Sequence, residues 1–295
     1  MQRQEGQGAI GSVAGNPVLP PLACDCHAHV FGPHAHYPMS ANRAYSPGEA
    51  LFSEYGRVLR GLGIGRAVLV QPSIYGFDNS CQLEATTKLR IDARAVVALD
   101  SSADMPTVER LHGRGARGVR TNLLVGDGLG WSELLVLADL ITPFGWHLDV
   151  QLDCRMLAAK EDDISQLPLP VVLDHLANWR PTASKQDTDA LLRVLELENV
   201  WIKLSSIHRL SVSGPPYDDI ADIARKVIAV APCRVLWGSD WPYPIYRGPP
   251  VDVRLVLSSV IDWCGDERAR QRIFVDNPNR LFGFEASTPP ALKPT

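Results

Sequence analysis

The sequence predicts an α/β protein built as a single (β/α)8 TIM barrel with a long loop after the first strand. Three observations carry this. The chain has 295 residues, a length that suits one barrel or two ordinary domains. Eight short runs rich in apolar and β-branched residues recur along it, and helix-forming segments separate them. Strands that read as near-continuous apolar runs between helices indicate a parallel sheet covered on both faces. Eight such units in this length close into a barrel. An open doubly wound sheet fits less well, because no Gly-x-Gly-x-x-Gly follows any of the runs.

In chain order, residues 24–30 form the first strand, and the polar and aromatic stretch 31–47 follows as its loop. Such a loop covers the active-site end of a barrel. A helical stretch over 47–62 leads to the second strand at 66–71. Helical periodicity over 79–91 and 105–114 brackets the third strand at 95–99. The fourth strand is 118–122, and a helix over 131–142 connects it to the fifth at 146–152. The sixth strand is 170–174, and a helix over 188–197 precedes the seventh at 200–204. The next linker opens at Pro215-Pro216-Tyr217-Asp218, turns helical as far as Val230, and delivers the eighth strand at 235–238. The Gly-, Gln- or Pro-rich ends, 1–22 and 285–295, read as flexible tails around a barrel at 23–284.

Composition excludes several classes. Net charge is −4 with 21% charged residues, so no basic surface points to nucleic acid. No apolar run approaches the roughly 18–20 residues that a membrane span needs. The N-terminal stretch lacks a basic start and a long hydrophobic segment, which argues against a signal peptide. Six cysteines are scattered without a Cys-x-x-Cys pair, the pattern of a reduced cytoplasmic protein. Helix faces of a barrel allow a homo-oligomer.

In a barrel the reactive groups stand at the C-terminal strand ends. Read there, the chain offers His27 and His29, then Gln71, Ser73 and Tyr75. Arg120 and Asn122 end strand four, Gln151 and Asp153 strand five, Asp174 and His175 strand six. Strand seven brings Lys203, Ser205, His208 and Arg209, and strand eight brings Asp240. Three imidazoles and a carboxylate converging on one mouth suit hydrolysis. Asp240 takes a proton from water while His27, His29 and His175 bind and polarise a carbonyl oxygen. Blander roles compete: an exposed strand face for His27 and His29, a helix cap for Asp240, a buried loop histidine for His175. Arg120 and Arg209 suit a substrate carboxylate, with Tyr45 and Ser73 as hydroxyl donors to the same anion.

The segments DCHAHVFGP, VLVQPSIYG, RGVRTNLL, VVLDH, KLSSIHRLS, WGSDWPYP and DNPNRLFGF, in that order, resemble the amidohydrolase superfamily. They are most similar to its 2-pyrone-4,6-dicarboxylate lactonase-like branch, over residues 23–284. The resemblance implies opening of a carboxylated lactone of pyrone dicarboxylate, muconolactone or sugar-acid type. Asp240 would activate water, His27, His29 and His175 would face the carbonyl, and Tyr45, Ser73, Arg120 and Arg209 would hold carboxylates. That branch works without metal, so no cofactor is expected. The alternative is one zinc ion on His27, His29 and Asp240. A bridged metal pair is disfavoured, because strand four presents Arg120 and Asn122 and strand five Gln151.

Two departures bear on substrate. Members of that branch carry a further Arg soon after the strand-four Arg, where this chain has Leu123-Leu124-Val125-Gly126. They carry His after Asp-Trp-Pro, where this chain has Tyr243. A monocarboxylated or less anionic lactone is therefore expected. Competing functions are a single-zinc lactonase or decarboxylase, a lactone isomerase, and a non-catalytic binder of a small acid.

Overall fold

The computed structural model describes residues 18–124 and 131–285. Most of the expected tails, 1–17 and 286–295, therefore lie outside the described residues. Eight parallel strands follow one another in sequence order: β1 (Cys24–Ala28), β2 (Arg66–Val70), β3 (Asp92–Val97), β4 (Ala116–Asn122), β5 (His147–Gln151), β6 (Val171–Leu173), β7 (Val200–Leu204) and β8 (Val235–Trp237). The ring closes just beyond β8, where Asp240 N–H donates to His27 O and His29 N–H to Trp241 O, each at 2.8 Å. Gly238 permits this approach, since a Cβ there would sit 2.5 Å from the His27 Cβ.

The outer layer holds α1 (Phe52–Leu62), α2 (Ser80–Lys88), α3 (Met105–Gly113), α4 (Trp131–Ile141), α5 (Leu157–Ser165), α6 (Lys185–Val194), the single turn α7 (Ile207–Leu210) and α8 (Asp218–Val230). Their apolar stripes follow helical spacing. In α1, Tyr55, Leu59 and Leu62 are buried at i, i+4 and i+7. Fully burying one such side chain is worth roughly 1.5–3 kcal/mol. Gly63 ends that helix in the left-handed conformation at φ 72°.

Three elements start three or more residues from the expected position, each for a local reason. Helix α1 starts at Phe52, not near residue 47, because Ala50 exchanges two backbone hydrogen bonds with Phe31 and Glu54 caps the Leu51 N–H at 2.9 Å. Helix α6 starts at Lys185, because Ser184 Oγ accepts the Asp187 N–H at 3.1 Å. Strand β3 starts at Asp92, whose polar beginning pairs in register with β2 from Arg66 onward. The Phe31–Ala50 bridge also pins the base of the loop after β1, which brings Ala44 and Tyr45 to the barrel mouth.

Beyond β8 the chain adds α9 (Val253–Cys264), α10 (Glu267–Gln271), a π-helical turn at Arg272–Asp276 and α11 (Asn277–Phe282). Phe282 at the end of α11 meets the buried ring of His147 edge-on, with centroids 5.2 Å apart. Among the described residues no helix is long and apolar enough to cross a membrane.

Candidate active site

Strand β1 carries one residue more than its neighbour. Asp25 pairs with Ala67 but Ala28 pairs with Leu69, so three steps on β1 match two on β2. This bulge resets the alternation of side chains. Cys24 and Cys26 pack with Val68, Val70, Val96 and Leu236 from neighbouring strands. After the bulge, His27 and His29 also turn to the barrel interior. Asp25 points the other way and ties the layers together, accepting from Tyr55 Oη and Ser239 N–H at 2.9 Å each. Burial pushes its carboxyl up to about 6.

A cavity of about 290 Å³ opens at the C-terminal mouth. His29, His175 and Asp240 line it, as do Tyr45, Ser73, Arg120 and Arg209. His27 lies one layer deeper, fully buried, its ring centroid 4.6 Å from that of His175 and 5.0 Å from that of His29. The site residues expected from sequence are thus gathered in one place. His208 is not among the lining residues; it is buried with its ring 4.9 Å from both Tyr243 and Tyr246.

Asp240 caps no helix. It stands beyond β8 at φ 59°, a conformation that disfavours a side chain with a Cβ. Ser206 (φ 56°) and His175 (φ 53°) repeat this beyond β7 and β6, and the left-handed turn runs on through Asn178. Left-handed residues cost roughly 1–2 kcal/mol each. The β6 turn is held by Asn178, which donates to Leu152 O at 2.7 Å and accepts from Arg209 Nη2 at 3.2 Å. Strain of this kind at three strand ends aims functional groups that an extended chain would turn away.

Ser206 Oγ donates to Asp240 Oδ2 at 2.6 Å. The other oxygen, Oδ1, faces His29 Nε2 at 3.6 Å and His27 Nε2 at 4.0 Å. Burial alone would raise this carboxyl, but the surrounding imidazoles outweigh it and hold Asp240 well below the usual carboxylate range. Burial lowers His27 to about 4 and takes His175 well below the ordinary imidazole value. Asp240 is therefore ionised beside the His27 and His175 rings, which favour their neutral form. His29 Nδ1 lies 2.7 Å from Val70 O, which can only accept. In the neutral ring the proton is on Nδ1, and Nε2 turns a lone pair toward Asp240.

Under the mouth lies a buried charge cluster. Lys203 Nζ donates to Asp149 Oδ2, contacts Asp174 Oδ1 at 3.1 Å and meets His27 Nδ1 at 3.3 Å. Burial would lower Lys203, yet Asp149 and Asp174 outweigh it and keep it above its ordinary value. Burial and the Asp174 charge together push Asp149 up. Arg120 Nε reaches Asp174 Oδ2 at 3.4 Å, and its Nη groups donate to Gln71 O and Gln151 Oε1. Arg209 Nε donates to Ser206 Oγ at 3.0 Å. These bonds use only some of the five N–H donors on each guanidinium, leaving others for an anion in the cavity.

The model of the amidohydrolase family matches residues 24–284. The chain belongs to this family. It is 34% identical to a 4-sulfomuconolactone hydrolase of Hydrogenophaga intermedia and 33% identical to a 2-pyrone-4,6-dicarboxylate hydrolase of Comamonas testosteroni. Those matches cover 90% of this chain and 90% and 91% of the relatives. A D-galactarolactone isomerase of Agrobacterium fabrum is 29% identical, over 92% of this chain and 95% of the relative. A crystal structure from Agrobacterium tumefaciens superposes with a TM-score of 0.83 at 27% identity, covering 92% of this chain and 99% of the other.

This amidohydrolase can be tested for a metal site on its own atoms. One imidazole nitrogen from each of His27 and His29 and a carboxylate oxygen of Asp240 lie within 4.8 Å of one another. His27, Asp174 and His175 form a second such group. Two imidazoles and a carboxylate are a donor set suited to zinc, and the spacing of the first group fits one ion. His29 and Asp240 offer lone pairs there. His27 does so only with its proton on Nδ1.

Lys203 and Asp174 stand out in the sequence as strand ends without a role, whereas Asp149 and Ser206 do not stand out there. A signal for Asp149 existed: in His147-Leu148-Asp149-Val150-Gln151 the polar residues alternate, which places all three on the inner face of β5. Ser206 left no such mark, because its role comes from a left-handed turn.

Proposed function

We propose that this chain hydrolyses a lactone carrying one anionic group, without a metal ion. The observation that carries the reading is Asp240, an ionised carboxylate held among imidazoles beside a small cavity that two arginines line. Water, oriented by Asp240 Oδ1 and the His29 Nε2 lone pair, adds to the lactone carbonyl carbon as its proton passes to Asp240. His27 and His175 face the oxygen on which negative charge develops. The ring C–O bond then breaks, and the departing oxygen takes the proton back from Asp240. The product is the ring-opened hydroxy acid or its keto tautomer, and the carboxylate is regenerated.

The cavity wall supports the substrate class. Arg120 and Arg209 supply positive charge, while Leu124, Pro244 and Ile245 are apolar. One carboxylate or sulfonate suits this wall better than two. The names of the relatives agree with lactone chemistry. The six unpaired thiols fit a reducing compartment such as the cytoplasm.

Ring opening of a panel comprising a pyrone dicarboxylate, a muconolactone and an aldonolactone tests this reading. We expect a monoanionic lactone to be the best substrate, and R209M to raise its KM about tenfold or more, the scale of one charge-assisted hydrogen bond. No turnover across the panel, with tight binding of the free acids instead, would leave a binding protein. A second reading, a zinc-dependent lactonase, is favoured by the convergence of His27, His29 and Asp240. A zinc ion there would supply Lewis-acid polarisation and a more acidic bound water. Metal content measured beside activity separates the two.

Ser206 gives a further check. Its hydroxyl stabilises the charged form of Asp240, so S206A raises the Asp240 pKa. The acidic limb of kcat/KM then moves to higher pH, by about one unit or more for a hydrogen bond to a charged group. An unmoved limb would separate Ser206 from the base.

A further inference from the structure

Nδ1 of His27 has two close neighbours that impose opposite protonation. Lys203 Nζ, at 3.3 Å, can only donate to it. Asp174 Oδ1, at 3.2 Å, can only accept from it. The ammonium contact has hydrogen-bond geometry, whereas Asp174 Oδ1, despite its proximity, meets no donor among the described residues with that geometry. Donor counting agrees. An ammonium has three N–H groups, and the acceptors that meet Lys203 with hydrogen-bond geometry are Asp149 Oδ2 and His27 Nδ1, with Asp174 Oδ1 a charge contact at 3.1 Å. Lys203 is fully buried, so an N–H without an acceptor there carries its full desolvation penalty. Moving the His27 proton to Nδ1 would orphan one of them.

We propose that Lys203 is a positioning residue that fixes the tautomer of His27, holding its proton on Nε2 so that the ring donates into the site instead of offering a lone pair to a metal ion. The two histidines of the His-x-His pair then have opposite polarity. Val70 O sets His29 with a lone pair on Nε2 beside Asp240, while Lys203 sets His27 with an N–H on the corresponding atom. His27 Nε2 is buried and has no hydrogen-bond partner among the described residues, as a donor awaiting a ligand oxygen would be. The identity of that oxygen as a lactone carbonyl rests on the proposed function; the tautomer does not.

Protein labelled with ¹⁵N-histidine tests this without substrate. The ¹⁵N shifts of His27, assigned by their loss in H27N, report which nitrogen is protonated. We expect Nε2–H in the wild-type protein. In K203M the proton moves to Nδ1, facing Asp174, and added Zn²⁺ binds at least tenfold more tightly than to wild type by calorimetry. K203M/D149N removes one charge of each sign and gives the same two results if K203M folds poorly. A wild-type His27 protonated on Nδ1 overturns the proposal, as does a proton that stays on Nε2 or an unchanged zinc affinity in the variants. A protein inactive on every lactone but showing the expected shifts would sink the lactonase reading and leave the tautomer assignment standing.

Discussion

Replacing Asp240 by Asn lowers kcat for lactone ring opening by about 10²–10⁴-fold, the range of a positioned general base. KM stays constant or falls. Arg120 and Arg209 remain, and the substitution removes a negative charge that lies one hydroxyl away from Arg209, through Ser206. The wild-type pH profile carries the same information. Asp240 is held below the ordinary carboxylate range, so it is the active base above its own low pKa and loses activity only as pH falls through that value. His27 and His175 are neutral throughout the physiological range and add no limb there. Steady-state kinetics of wild type and D240N on a lactone that the enzyme opens decide the matter. A variant within tenfold of wild type would remove Asp240 from the chemistry.

That site was legible to the extent that it sits on regular strand ends. His27, His29, Arg120, His175 and Asp240 could be read because apolar runs located the strands and barrels expose reactive groups at one end of them. What stayed hidden depended on departures from regularity. Strict alternation in Cys24-Asp25-Cys26-His27-Ala28-His29 sets the cysteines and the histidines on opposite faces, yet the β1 bulge turns both pairs inward. Ser206 reaches Asp240 because the residue beyond β7 is left-handed. Lys203 was visible as a polar strand end, but its role emerges only from Asp149 and Asp174 on two other strands, which no local pattern connects.

Lys203 also carries the largest expected effect on stability. Replacing it by Met leaves Asp149 and Asp174 in the barrel interior, both fully buried. Removing one partner of a buried ion pair costs about 3–5 kcal/mol, because the remaining charge has no compensation. The two carboxylates are not equally exposed to this loss. Asp174 keeps Arg120 at 3.4 Å, whereas Asp149 Oδ2 loses its ammonium and its Oδ1 already lacks a hydrogen-bond partner among the described residues. Most of the penalty therefore belongs to Asp149, and K203M/D149N recovers more than half of it. The pH dependence distinguishes this account from lost packing. Asp149 is already pushed up by burial, and losing Lys203 pushes it further. A carboxyl whose folded pKa is raised binds its proton more tightly when folded. Its contribution is fully present below the unfolded value and is lost as pH rises through the folded one. K203M is thus closer to wild type in urea midpoint at pH 5 than at pH 8, and the double variant shows no such trend. A deficit equal at both pH values, and equal in single and double variants, would assign the loss to packing of the Lys203 stem instead of to the charge it leaves behind.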